Sequence, residues 1–382
     1  MTDIKNYDTF DDMKLKDNLL RGIYTYGFEK PSAIQKKAIN PLSEGKDVIA
    51  QAQSGTGKTG AFVIGTLTQL DDTQHVQTLI LSPTRELAIQ TKSVVDSLSS
   101  YMKIKTHLLI GGNFIKNDLE TLDRGSIKVI IGTPGRVNDM LKRRVLDISY
   151  LKSFILDEAD EMLSFGFLDQ IREILNFVPK TSQIGIFSAT MTDETYSLTK
   201  EILKNPVEIL VKNEDLTLEG IKQYYVDIED EIQKFDVLMD IYSNLAVSQT
   251  IIYSNSKRKM IWLSEQLKEN SFTVDSIHSD MTQSVRNQVI KNFRSGTIRI
   301  LLASDILARG IDIQQVSIII NYDFPRNYNT YIHRIGRSGR YGKKGVALNI
   351  VNQTELQSMK ECEQIYNTKI QYLPADLDNI FK

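Results

Sequence analysis

Short runs of Val, Ile and Leu alternate with longer stretches of helical period along the whole chain. Apolar runs that short and that continuous are what strands buried on both faces of a parallel sheet require. Val48-Ile49-Ala50, Thr78-Leu79-Ile80-Leu81, Val129-Ile130-Ile131, Ser153-Phe154-Ile155-Leu156 and Gln183-Ile184-Gly185-Ile186-Phe187 form one set. Thr250-Ile251-Ile252-Tyr253, Arg299-Ile300-Leu301-Leu302, Val316-Ser317-Ile318-Ile319-Ile320 and Gly345-Val346-Ala347-Leu348 form a second. The pattern predicts an α/β protein with two tandem domains, each built on a parallel sheet. Residues 212–221 between the sets are polar and lack both period and a long apolar run, so they read as a linker between domains at 1–211 and 222–382.

Composition narrows the functions open to such a chain. At 382 residues it is too long for a single small module, and its 41% hydrophobic residues supply ample material for two cores. Lys and Arg number 46 against 48 Asp and Glu, a net charge of −2, so the chain lacks the basic excess of a protein that coats nucleic acid. Any nucleic-acid site must be local. Cys362 is the one cysteine, which excludes an internal disulfide and points to a reducing compartment, cytoplasm or nucleus. The N-terminal residues are polar and acidic, unlike a signal peptide, and no apolar run approaches the roughly 20 residues that span a bilayer, so no membrane association is expected.

Two segments carry chemistry on their own. Ala52-Gln53-Ser54-Gly55-Thr56-Gly57-Lys58-Thr59 follows a predicted strand and opens a helical stretch, the context of a phosphate-binding loop. Small residues let backbone N–H groups face a β-phosphate, Lys58 reaches the β and γ oxygens, and the Thr59 hydroxyl is suited to hold Mg²⁺. The second segment is the predicted strand 153–156, which runs into Asp157, Glu158 and Asp160. Ligands of parallel sheets sit at the carboxyl ends of the strands, so Asp157 is placed to share the metal with Thr59, and Glu158 to orient an attacking water.

Asp157-Glu158-Ala159-Asp160, read with the phosphate loop, resembles the DEAD-box RNA helicases of superfamily two, and the resemblance runs in order over nearly the whole chain. It implies two RecA-like domains, ATP and Mg²⁺ as cofactors, and single-stranded or structured RNA as partner. Gly27-Phe28-Glu29-Lys30-Pro31-Ser32-Ala33-Ile34-Gln35 is similar to the family's Q motif, in which Gln35 would read the adenine edge and Phe10 would stack on its face. Ser188-Ala189-Thr190 resembles the motif that couples the nucleotide site to RNA, and the resemblance gives Asp160 to the same coupling. Thr84 and Arg85, Gly112, and Thr133 with Arg136 lie in motifs that resemble the first domain's RNA contacts. Thr hydroxyls, Gly amides and Arg guanidinium groups bind phosphate and sugar oxygens and carry no base code, so binding is expected to be independent of sequence.

In the second half the resemblance assigns Asn255, Gln283, Arg286, Ser304, Arg309 and Gly310 to RNA, Asp312 to the ribose of ATP, and His333 to coupling. Arg337 and Arg340 would be arginine fingers, groups worth up to 10³–10⁵ in rate in related phosphoryl transfer. The phosphate loop and carboxylates precede the linker and the arginines follow it, so catalysis would require domain closure. Within the family the run from Phe10 to Gln35 looks most like eukaryotic initiation factor 4A and its exon-junction paralogue. That likeness implies a monomer with an initiation factor 4G-like or other scaffold as partner. An ATP-gated RNA clamp with little turnover, and a DNA-directed motor, remain as alternatives.

Overall fold

The computed structural model describes residues 7–52, 55–112, 114–163, 166–210, 221–245, 249–278, 280–305, 316–338, 345–374 and 380. The chain divides into two compact units, Met1–Val211 and Lys212–Lys382. The stretch expected as a linker lies outside the described residues except for Ile221, which already opens a strand.

In the first unit the strands are β1 (Val48–Gln51), β2 (Thr78–Leu81), β3 (Lys105–Leu109), β4 (Ile127–Gly132), β5 (Ser153–Asp157), β6 (Gln183–Ser188) and β7 (Val207–Ile209). They form one parallel sheet in the order β3-β4-β2-β5-β6-β1-β7. Side chains alternate across a strand, so Ile49, Leu79, Ile130 and Phe154 pack on one face while Val48, Ile80, Val129 and Ile155 pack on the other. Helices α1 (Asp17–Tyr26), α2 (Ala33–Ser43), α3 (Lys58–Thr68), α4 (Arg85–Leu98), α5 (Ile115–Asp123), α6 (Pro134–Lys142), α7 (Ala159–Met162), α8 (Leu168–Leu175) and α9 (Asp193–Ile202) complete the unit and help bury those two apolar faces.

The second unit repeats the plan. Its strands are β8 (Ile221–Asp227), β9 (Thr250–Tyr253), β10 (Val274–Ile277), β11 (Ile300–Ala303), β12 (Ile318–Asn321), β13 (Gly345–Val351) and β14 (Gln371–Tyr372), again all parallel, in the order β10-β11-β9-β12-β13-β8-β14. Helices α10 (Gln233–Asn244), α11 (Lys257–Glu269) and α12 (Gln283–Arg294) are followed by helices at Tyr328–Ile335 and Gln353–Ile365. The expectation of two parallel-sheet domains holds.

Sheet order is what assembles the site. Because every strand of the first unit points the same way, the segments that follow them share one edge. Read across that edge, the Gly111-Gly112 turn follows β3, Thr133 follows β4, Thr84 follows β2, Glu158 follows β5, Ala189 follows β6 and the phosphate loop follows β1. Sequence order is thereby sorted into one end that carries the expected phosphate loop and acids and another that carries the residues expected to contact RNA.

Candidate nucleotide and nucleic-acid site

At the nucleotide end, Gly57 adopts φ 99°, a left-handed conformation that glycine accepts without strain, and a Cβ there would lie 2.8 Å from the Gln35 amide nitrogen. The loop can therefore turn tightly under α2 and deliver Lys58 to the first position of α3. Lys58 is buried, and its ammonium donates to the Ala52 carbonyl at 2.7 Å, closing the loop on itself. The Ala52 N–H donates to the Ser188 carbonyl at 3.1 Å, which fixes the base of the loop to β6. Gly55, Thr56 and Thr59 lie in the described part of the loop and α3, whereas Ser54 lies outside the described residues.

The acidic strand end stands two places away in the sheet, with β6 between it and β1. Asp157 and Glu158 are both buried. Burial, reinforced by the Glu158 charge, pushes the Asp157 carboxyl up to about 7, with the Lys58 charge opposing it. Glu158 has φ 51°, left-handed and uncommon for a residue with a side chain, and its Oε2 has no hydrogen-bond partner among the described residues. A buried carboxylate such as Asp157, crowded by a second acid, fits a divalent cation, and Thr59 in the first turn of α3 offers a hydroxyl.

Behind the acids, Thr190 Oγ1 donates to Asp160 Oδ2 at 2.5 Å, and the Asp160 N–H donates to Ser188 Oγ at 3.2 Å. The segment after β6 is thus hydrogen-bonded to the start of α7, which follows β5.

One expectation at this end is corrected. Phe10 presents no face to a ligand: it is fully buried in the core, stacked on Phe28 at 6.3 Å between centroids and 19° between planes. The half-buried Phe28 is the aromatic beside the loop, so close that a Cβ on Gly60 would meet its ring at 2.9 Å. The signal for it was Gly27, whose φ of 97° ends α1 and turns Phe28 toward α3. Gln35 stands beside the loop: its Oε1 accepts from the Ser32 N–H at 2.9 Å and its Nε2 donates to the Gly57 carbonyl at 3.3 Å, leaving one lone pair and one N–H of the amide for a ligand edge. It braces the loop from the N-terminus of α2.

At the other end of the edge, after β2, β3 and β4, a cavity of about 410 Å³ is lined by Arg85, Gly111, Thr133, Arg136, Phe167 and Gln170, among others. Arg85 lies over the glycine pair, where a Cβ on Gly112 would come within 2.5 Å of its guanidinium. Thr84 accepts from the Leu87 N–H as the cap of α4, while Thr133 stands at the N-terminus of α6 with no capping bond from its hydroxyl. Arg136 pairs with the buried Asp118, whose other oxygen lies 3.0 Å from His107 Nε2. Phe167 and Gln170 were not expected here, since nothing in their spacing marks them before the fold brings α8 to this edge.

In the second unit Ser304 follows β11, and its buried hydroxyl has no partner among the described residues. Gln283 and Arg286 stand one turn apart at the start of α12. His333 is buried on the helix Tyr328–Ile335, and Arg337 follows that helix, also buried. Asn255 sits in the turn after β9, where its amide donates to the Phe324 carbonyl at 2.7 Å and accepts from Arg334 at 2.6 Å. Arg309, Gly310, Asp312 and Arg340 lie outside the described residues.

Comparison with known proteins covers both units. Residues 32–198 match the DEAD/DEAH box helicase family, and residues 233–342 match the helicase conserved C-terminal domain. The chain is 52% identical to the ATP-dependent RNA helicase eIF4A of Kluyveromyces lactis over 98% of its own length and 94% of the relative's. It is 50% identical to eIF4A of Candida albicans, covering 98% and 96%. Among solved structures, S. cerevisiae Dbp5 bound to RNA and ADP BeF3 superposes with a TM-score of 0.91 at 36% identity, over 98% of each chain.

Proposed function

Because this chain belongs to the DEAD-box family of ATP-dependent RNA helicases, we propose that its two-unit plan works through the residues gathered at the two sheet edges: ATP seated on the loop 52–59, and RNA along the far end of the same edge. One observation carries the reading. The phosphate loop, the buried Asp157-Glu158 pair and the Thr190–Asp160 bond occupy adjacent strand ends, next to the cavity that holds Arg85 and Arg136.

Backbone N–H groups of the loop and the N-terminus of α3 take the β-phosphate, and Lys58 exchanges the Ala52 carbonyl for phosphate oxygens. Phe28 offers the adenine an aromatic face. Thr59 and Asp157 would hold Mg²⁺, which when bound supplies charge to the phosphate oxygens. Glu158 accepts a proton from the water that attacks the γ-phosphate, and its unpartnered Oε2 is the acceptor for it. Arg337 and Arg340 belong to the second unit, so this reading requires ATP to draw the units together before hydrolysis.

RNA contacts come from hydroxyls, amides and guanidinium groups that read phosphate and ribose. Dbp5, solved with RNA and ADP BeF3 on one protein, supports joint occupancy by RNA and nucleotide. ATP and RNA would each tighten binding of the other by the same factor, as linkage demands. The likeness to eIF4A supports a role in translation initiation; the same reading takes the chain as a cytoplasmic monomer that works with an initiation factor 4G-like scaffold.

Strand separation tests the proposal. A short RNA duplex with a single-stranded tail is expected to open with Mg·ATP, and to stay closed when ATP is omitted. Opening that is independent of ATP, or absent while ATP is turned over at the RNA-stimulated rate, would contradict it.

A further inference from the structure

The second unit contains a cluster of buried charge that no assigned motif includes. Lys234, in the first turn of α10, has a fully buried side chain. Its ammonium lies 2.8 Å from Glu355, 3.2 Å from Glu231 and 3.4 Å from Asp323. Lys259 of α11 reaches the same Asp323 oxygen at 2.6 Å and Glu231 at 2.5 Å. Burial alone would raise the Asp323 carboxyl, but the Lys259 and Ser254 hydrogen bonds and the Lys234 charge hold it below its ordinary value.

The second oxygen of Asp323 is committed elsewhere. Oδ2 accepts from the Ser254 hydroxyl at 2.6 Å and from the Asn255 N–H at 2.8 Å, so it fixes the turn that leaves β9. From Asn255 the network passes to Arg334, which also donates to the Asp323 carbonyl at 2.8 Å and, through Nε, to Asp305 at 2.7 Å. One carboxylate therefore joins the lysines to the segments bearing Asn255, Ser304-Asp305 and the helix that leads to Arg337. A buried ion cluster is a weak source of stability, because apolar side chains of the same volume commonly serve as well. What it supplies is direction.

We propose that Lys234 is a positioning residue for RNA engagement: its buried ammonium sets the orientation of Asp323, and Asp323 sets the second unit's RNA-facing turns and the start of the arginine segment in one geometry. The inference rests on the reading that these turns face RNA.

The test uses the full chain with Lys234→Met and Lys234→Arg. Affinity for a fluorescent single-stranded RNA is measured with a non-hydrolysable ATP analogue, and ATP hydrolysis is measured against RNA and ATP concentration. Lys234→Met is expected to raise the RNA concentration for half-saturation at least tenfold, leave the KM for ATP within twofold, and be partly rescued in Lys234→Arg. A merely structural role would lower kcat through loss of active protein and leave both half-saturation values unchanged, and that result would overturn the proposal. If Lys234→Met does not fold, Asp323→Asn keeps the shape of the side chain, and unchanged RNA affinity in that variant overturns the proposal equally. Failure of the unmodified chain to bind the RNA would overturn the underlying reading as well; binding by the unmodified chain and equally by both variants overturns this inference alone.

Discussion

The Thr190 hydroxyl donates to the Asp160 carboxylate across the ends of β6 and β5, a 2.5 Å bond between the segment that follows the nucleotide loop's neighbour strand and the acidic turn itself. Both residues are buried, so the bond is shielded from solvent. A hydrogen bond to a charged group contributes about 1.5–3 kcal/mol, and its loss here falls on the link between two segments rather than on either site. Thr190→Ala is expected to reduce duplex separation about tenfold or more on that scale while leaving ATP hydrolysis within a factor of about two. Parallel loss of both activities, measured on one preparation, would place Thr190 in the chemistry instead of the coupling.

Glu158 is assigned to the attacking water and not to the metal, and the two roles separate under mutation. Glu158→Gln retains size and a carbonyl oxygen but cannot take the proton. Removal of a general base typically costs about 10²–10⁴ in rate, so turnover should fall into that range with ATP and RNA affinity unchanged. Equal losses in nucleotide binding and turnover would move Glu158 to the metal.

Phe10 and Phe28 are stacked, yet they should respond differently to truncation. Phe10 is core, and Phe→Ala in a core costs about 3–5 kcal/mol, so Phe10→Ala should lower the melting temperature while the KM for ATP stays put. Phe28→Ala should raise the KM for ATP by roughly 3–10-fold, the equivalent of one aromatic stacking contact, with a smaller loss of stability. The reverse pattern would restore the adenine face to Phe10.

The raised Asp157 carboxyl has a definite signature in stability. Its folded value of about 7 exceeds its ordinary 3.8, so below pH 4 both states carry the proton and no penalty exists. As the pH rises from about 4 to 7 the unfolded chain releases the proton first, and the nucleotide-free protein progressively loses stability. Asp157→Asn removes that dependence. In chelator the variant should melt above the unmodified chain at pH 7.5, and the gap should shrink toward pH 4.5. A gap that is constant with pH would show that Asp157 does not carry the shift.

The central strands were legible because burial on both faces leaves an unbroken apolar run, as at Thr78–Leu81 and Ile318–Asn321. Strands nearer the sheet edges were not. β3 reads Lys-Thr-His-Leu-Leu and β10 reads Val-Asp-Ser-Ile, since an edge strand keeps one side open to polar residues. The phosphate loop and the acids were visible as local chemistry at strand ends, and Ser188-Ala189-Thr190 only through the family resemblance. Phe28, Gln170, Lys234 and Asp323 were not, because each gains its role only from strand order and from side chains distant in sequence. The error at Phe10 has the same origin: an aromatic near a ligand-binding segment looks alike in sequence whether it faces the ligand or backs the residue that does.

The most direct measurement is steady-state Mg·ATP hydrolysis by the purified chain, alone and with matched single-stranded RNA and DNA. Contacts to phosphate and ribose without base readout should give strong stimulation by RNA of any sequence and little by DNA. Equal stimulation by DNA, or negligible turnover despite ATP-dependent RNA binding, would contradict the account and favour, respectively, a DNA-directed motor or a clamp that holds RNA without hydrolysis.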